Sequence, residues 1–155
     1  MLLPRGLEVR LVSRNDSAGT MPAGIVTIYS QESEVPQIVG QDQIPLTPVG
    51  ADFSVTQGRS TVLQGTRRIV ERREVNEPGN ARLVTQVEVV ITNRGAADST
   101  AFVREGIERW RNGSWTVTES THLHETLGDQ MIQFRLPVPA GNSATLQYTV
   151  ESRAD

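Results

Sequence analysis

Leu83-Val-Thr-Gln-Val-Glu-Val-Val-Ile-Thr-Asn93 and Val138-Pro-Ala-Gly-Asn-Ser-Ala-Thr-Leu-Gln-Tyr-Thr-Val-Glu-Ser152 decide the fold. In the first, Leu83, Thr85, Val87, Val89 and Ile91 share one face, while Gln86, Glu88 and Thr92 share the other. That period of two predicts a strand with one buried side. In the second, Pro137 and Pro139 are expected to stop one strand and Gly141-Asn142 to turn the chain. Ala144, Leu146, Tyr148 and Val150 then alternate along a closing strand.

The same grammar extends outward. Met131 to Val138 alternates through Ile132, Phe134 and Leu136. Thr100 to Arg104 is expected to return with Phe102 inward. Thr66 to Val75 reads as a strand, although Arg67 and Glu71 could also form a helical i,i+4 pair. Asn76 to Asn80, with Pro78-Gly79, is a turn. In the N-terminal part, Gly6 to Ser13 carries Leu7, Val9 and Leu11 on one face, and Gly24 to Ser30 alternates as well. Gln31 to Glu34 is turn-like, and Gln37 to Val39 can return as a hairpin. Ile44-Pro-Leu-Thr-Pro-Val-Gly50 holds two prolines, so it is expected as an extended edge or crossover. Strands spaced by about 8–12 residues predict an all-β fold. The specific expectation is an immunoglobulin-like β-sandwich over 63–155, with additional N-terminal strands, 1–62, packed on it. No internal repeat is evident in the sequence.

Bulk composition narrows the function. The chain has 155 residues, 37% of them hydrophobic, which suits thin sheets with one wet face. A net charge of −3 gives no long-range attraction for nucleic acid or an anionic membrane. There is no cysteine, which excludes disulfides, thiolate zinc sites and a cysteine nucleophile. The basic residues are all arginine and lie scattered. No apolar run reaches the roughly 18 residues of a membrane span. The start, Met1-Leu-Leu-Pro-Arg-Gly6, lacks the apolar core of a signal peptide.

Chemistry has few places to reside. In Arg109-Trp-Arg-Asn-Gly-Ser-Trp115, Asn112-Gly113 suits a type I′ hairpin loop that would set Trp110 opposite Trp115. That pair, with Arg111, could form a sugar-stacking platform; it could equally cover one end of the core. His122 and His124, two apart on a strand, could hold one zinc with Glu119 or Glu125, or could simply be solvated. Asp16, Asp42, Asp52, Asp98 and Asp129 fall in expected turns and could bind calcium or act as turn formers. Asn15-Asp-Ser17 and Asn112-Gly-Ser114 match the glycosylation pattern. No Gly-x-Ser-x-Gly elbow and no phosphate-cradling glycine loop occurs.

Five segments occur in one order: Met21-Pro-Ala-Gly-Ile-Val-Thr-Ile-Tyr29, Ile38-Val-Gly-Gln-Asp-Gln-Ile-Pro-Leu-Thr-Pro-Val-Gly50, Val89-Val-Ile-Thr-Asn-Arg94, Trp115-Thr-Val-Thr-Glu-Ser120 and Phe134-Arg-Leu-Pro-Val-Pro-Ala-Gly141. Together they resemble the C-terminal β domain of the mucoidy-inhibitor-like family of bacterial proteins. The resemblance implies a link to the cell envelope and exopolysaccharide, with a β domain and a coiled coil ahead of this region in family members. It supplies no catalytic residue. The expectation is a non-enzymatic structural or interaction module of the envelope, periplasm or surface layer. It would bind another envelope protein or its own copies. The alternative is a carbohydrate-binding module on Trp110 and Trp115, with polysaccharide as the ligand.

Overall fold

The computed structural model describes residues 5–30 and 34–154. The start Met1 to Pro4 and most of the expected turn Gln31 to Glu34 lie outside them. The strands are β1 (Arg5–Arg14), β2 (Gly24–Ser30), β3 (Gln37–Ile44), β4 (Asp52–Glu77), β5 (Asn80–Asn93), β6 (Ser99–Gly106), β7 (Ser114–Ser120), β8 (His124–Thr126), β9 (Met131–Val138) and β10 (Ser143–Arg153). The protein is all-β, as its alternation predicts. The chain divides into two compact units, Gly6–Thr61, and Val62–Asp155 together with Arg5, and the main division falls inside β4.

The second unit is a sandwich. The second half of β4 pairs with β5, β5 with β10, and β10 with β7; the other sheet has the order β6-β9-β8. Val87, Val89 and Ile91 from β5, Leu146, Tyr148 and Val150 from β10, and Ile132, Phe134, Leu136 and Val138 from β9 are buried between the layers. The Phe134 and Tyr148 rings meet with centroids 5.0 Å apart. Four strands plus three is the count of an immunoglobulin constant domain, in which the second strand neighbours the fifth and the last neighbours the sixth. The pairing here differs, because β5 neighbours the last strand, β10, and β9 neighbours β8.

Two details depart from the expected faces. Phe102 does not point inward: it is 60% exposed, while Ala101 and Glu105 of the same strand are buried. The parity of β6 is fixed by Glu105. Its carboxylate receives Arg67 Nε at 3.0 Å on both oxygens, so the charge is paired inside the sandwich. Burial, and then the Glu105 charge, push the Tyr148 phenol far above its ordinary range. The second detail is Pro137, which lies inside β9 opposite Thr100 rather than ending it. β8 reaches only from Ile132 to Phe134 along β9, so the missing Pro137 N–H removes no ladder bond on that side. The solvent face of the larger sheet is a polar ladder, in which Arg68 Nε and Gln147 Nε2 both donate to Glu88, at 2.6 and 2.8 Å.

In the first unit, β1 lies along the first half of β4, with Arg14 paired to Asp52 at one end. β2 and β3 form an antiparallel hairpin. Gly40 faces the backbone of Thr56 and Gln57, where an added Cβ would sit 3.0 Å from Gln57 Cα. Asp42 is not in a turn: it lies in β3, and its carboxylate accepts the backbone N–H groups of Thr56 and Gln43, each at 2.8 Å. The Thr56 bond, then the Gln43 bond, hold its carboxyl below the usual range.

Each unit closes with the same corner. Asn93, 1% exposed, ends β5; its Nδ2 donates to Ala97 O at 2.8 Å and Val138 O at 3.0 Å, and its Oδ1 accepts from Gly95 N at 2.9 Å. Asn15, also 1% exposed, follows β1; its Nδ2 donates to Gly19 O at 3.0 Å and Thr47 O at 2.9 Å, and its Oδ1 accepts from Ser17 N at 3.1 Å. The backbones agree too. Asn93 N donates to Asn142 O and Asn142 N to Pro139 O; Asn15 N donates to Ala51 O and Ala51 N to Pro48 O. Gly141 and Gly50 take positive φ at the same point of the turn, 69° and 77°. Val138 pairs with Ser99, and Thr47 bridges Met21. The sequence shows no repeat because the corners share only scattered residues, Asn15 with Asn93, Ala18 with Ala96, Pro48 with Pro139 and Gly50 with Gly141. The faces also diverge: Ile44 is buried, whereas Arg135, three residues before Val138 as Ile44 is before Thr47, is exposed.

Asn93→Ala leaves the buried Val138 carbonyl, the Ala97 carbonyl and the Gly95 N–H without that partner, so urea unfolding should show a loss of about 1–3 kcal/mol. Asn93→Asp turns two donor bonds into acceptor–acceptor contacts and should recover part of its loss when acid protonates it. Asp42 has a lowered folded pKa, so its stabilisation is present above the unfolded carboxyl value of about 4 and lost as pH falls through the folded value. Asp42→Asn should therefore flatten that part of the acid unfolding curve followed by circular dichroism.

Candidate binding surface

The connection from β2 to β3 in the first unit runs only from Ser30 to Gln37, whereas that from β6 to β9 runs from Gly106 to Met131. Between Ile107 and Gln130 lie both tryptophans and both histidines of the chain. Segments added to a repeated scaffold, held by its rigid strands, are where binding residues concentrate.

The segment begins with a tight turn, Trp110–Asn112. Arg111 and Asn112 have φ of 51° and 58°, and Gly113 N donates to Trp110 O at 3.1 Å. The two left-handed residues are therefore Arg111-Asn112, one position earlier than the expected Asn112-Gly113. Gly113 meets a different demand. It is extended, and a Cβ there would lie 1.6 Å from Arg153 O, so only glycine lets the chain pass. Ser114 then pairs with Arg153 as β7 docks on β10.

This shift corrects the tryptophan pair. Trp110 stays in the turn, and Trp115 lies in β7 opposite Ser152, so they do not face each other across a hairpin. Both rings are half-buried. The Arg111 guanidinium carbon sits 4.3 Å from the Trp110 ring centroid. Trp115 Nε1 donates to Asp129 O at 2.9 Å, which ties β7 to the loop before β9. Arg109 Nη2 approaches Asp129 Oδ2 at 4.0 Å. Arginine in the left-handed region costs roughly 1–2 kcal/mol, a strain that often marks a functional position.

The histidines are also apart in role. His122 lies in a bend before β8, with Nδ1 2.9 Å from Thr121 Oγ1. His124 opens β8, and its ring packs on Phe134 with centroids 5.8 Å apart. The strand parity that would have set them side by side is therefore missing. Among the described residues no three His, Asp or Glu side chains gather as a metal site. Between the two imidazoles Leu123 is 95% exposed. Of the aspartates, Asp52 begins β4 and pairs with Arg14, and Asp98 accepts the Ala140 N–H at 2.9 Å. Asn15 is buried at its corner, so its glycosylation pattern is inaccessible; Asn112 is exposed.

Two surface depressions, of about 190 and 230 Å³, lie beside Thr100 and Pro137 and between Thr121 and Gln147. Both are smaller than the roughly 300–1,000 Å³ of small-molecule pockets. No family model, no curated protein and no solved structure matches the chain.

Gly113→Ala should lose about 3 kcal/mol in urea unfolding followed by tryptophan fluorescence, because the added Cβ collides with backbone rather than with a movable side chain. Arg111→Gly should change stability by less than about 1 kcal/mol, since relief of the left-handed strain offsets the lost contact with Trp110.

Proposed function

We propose that the chain is a non-enzymatic interaction module of the bacterial cell envelope, with Ile107–Gln130 as its recognition segment. The observation that carries this reading is that segment itself. It has no counterpart in the first unit, and it combines a strained Arg111, a half-buried Trp110 and a fully projecting Leu123. An apolar side chain exposed to that degree beside two histidines gives a partner an anchor, and the rigid turn ordered on β10 lowers the entropy lost on binding. The envelope as the place of action rests on the five-segment resemblance. Another envelope protein, or a further copy of the chain, is the partner.

A carbohydrate platform on Trp110, Arg111 and Trp115 has less support. One face of Trp110 carries Arg111, and Trp115 is held through its ring nitrogen. Calcium or zinc is not needed for either reading.

Native complexes isolated from cells through the chain should contain a defined envelope partner, identified by mass spectrometry. Leu123→Asp combined with Arg111→Gly should deplete that partner at least about tenfold while the unfolding curve stays within about 1 kcal/mol of wild type. Unchanged partner recovery would remove Ile107–Gln130 from the interface. Quenching of tryptophan fluorescence by envelope polysaccharide, lost in Arg111→Gly, would favour the carbohydrate platform instead.

A further inference from the structure

We propose that β2 is a pairing edge for a second copy of this chain. This rests on the reading above that the module works by association, and it names the partner for a different surface. Among the described residues the stretch Ile25–Tyr29 of β2 has a hydrogen-bonded strand neighbour on one side only, β3. An unpaired edge is a template for another strand, and proteins usually guard such edges with charge, proline, bulges or short length.

The other edges here are guarded. β1 carries Glu8, Arg10 and Arg14, and β6 carries Arg104 and Glu105. β7 has a bulge at Thr118 followed by Glu119, β8 has three residues, and β3 carries Asp42. β2 reads Gly24-Ile-Val-Thr-Ile-Tyr-Ser30, with no charge, no proline and five consecutive β-branched or aromatic residues. Its solvent face is apolar as well. Ile25 is 74% and Tyr29 56% exposed, and Ile38, opposite Tyr29 on β3, is 59% exposed. Apolar side chains grouped on an open strand mark an interaction site.

The sequence of β2 is self-complementary. In an antiparallel pair, residues directly opposite share a face. A two-fold axis at Thr27 sets it against Thr27 of the partner subunit. Val26 then meets the partner's Ile28, and Ile25 meets the partner's Tyr29. Every pair is uncharged, and every pair keeps solvent-facing residues together. The result is a continuous four-stranded sheet in which Ile38, Tyr29 and the partner's Ile25 form one apolar row. A charged strand from elsewhere would set its charge against this row without a counter-ion, so the edge selects an uncharged β-branched strand. The chain supplies such a strand in β2 itself, in an isologous arrangement.

The chain has no cysteine, so a single introduced one reports the register without ambiguity. Sedimentation equilibrium of the full chain should show a dimer whose fraction rises with concentration. Ile25→Lys, at an exposed site that leaves circular dichroism unchanged, should raise the dissociation constant about tenfold or more. Thr27→Cys should oxidise to a covalent dimer faster than Thr100→Cys, an exposed control on β6. Ile25→Cys should cross-link to Tyr29→Cys in a mixture but not to itself. A monomer at all concentrations, or Thr27→Cys oxidising no faster than the control, overturns the proposal. If a Leu123-dependent envelope partner is still recovered in that case, the interaction reading stands and only the β2 pairing falls.

Discussion

The buried asparagine that ends β5 in one unit and follows β1 in the other is the constraint on which the rest depends. A strand that leaves a sheet must satisfy its last backbone groups without water. Asn93 does this with one amide, which satisfies two carbonyls and one N–H. By bonding Val138 O it ties β5, in one sheet, to the end of β9, in the other. Asn15 does the same for β1 and the stretch before β4 through Thr47 O. Once these corners are set, the Pro-x-Gly turns that follow Val138 and Thr47 deliver β10 and β4 back beside β5 and β1.

Within the second unit, the Arg67–Glu105 pair is the other polar link between the layers. It explains why an apolar-looking strand turns its largest aromatic side chain to solvent. Glu105 can be inside only because Arg67 reaches both of its oxygens, and strand parity then forces Phe102 out. A lone strand read by size alone gives the opposite parity, since Phe102 is the obvious core residue among Thr100 to Arg104. The information that decides it lies on β4, distant in sequence.

The recognition segment shows the same dependence on distant contacts. Asn112-Gly113 is the favoured type I′ dipeptide, and a turn with two left-handed residues is present, but centred one residue earlier. Local preference chose the turn type; the close approach of Arg153 chose its position, because Gly113 is required where the backbones nearly touch. Trp110 and Trp115 are separated as a consequence. The histidines follow the same pattern: their spacing suits a strand, but the bend at His122 comes first, so the two rings find different neighbours.

What the sequence by itself determined is the all-β class, the bounds of β2, β5, β9 and β10 to within a few residues, and the buried faces of β5, β9 and β10. These follow from a period of two and from proline and glycine at the turns, both local properties of the chain. The tertiary structure alone decided the strand order, the β5–β10 neighbourhood, the outward Phe102, the in-strand positions of Asp42 and Pro137, and the shared asparagine corner. Each of these depends on which backbone or charge lies across the fold. It also decided the separation of the tryptophans. Alternation states which side of a strand is apolar, but not which strand lies beside it, and sites are assembled from neighbours.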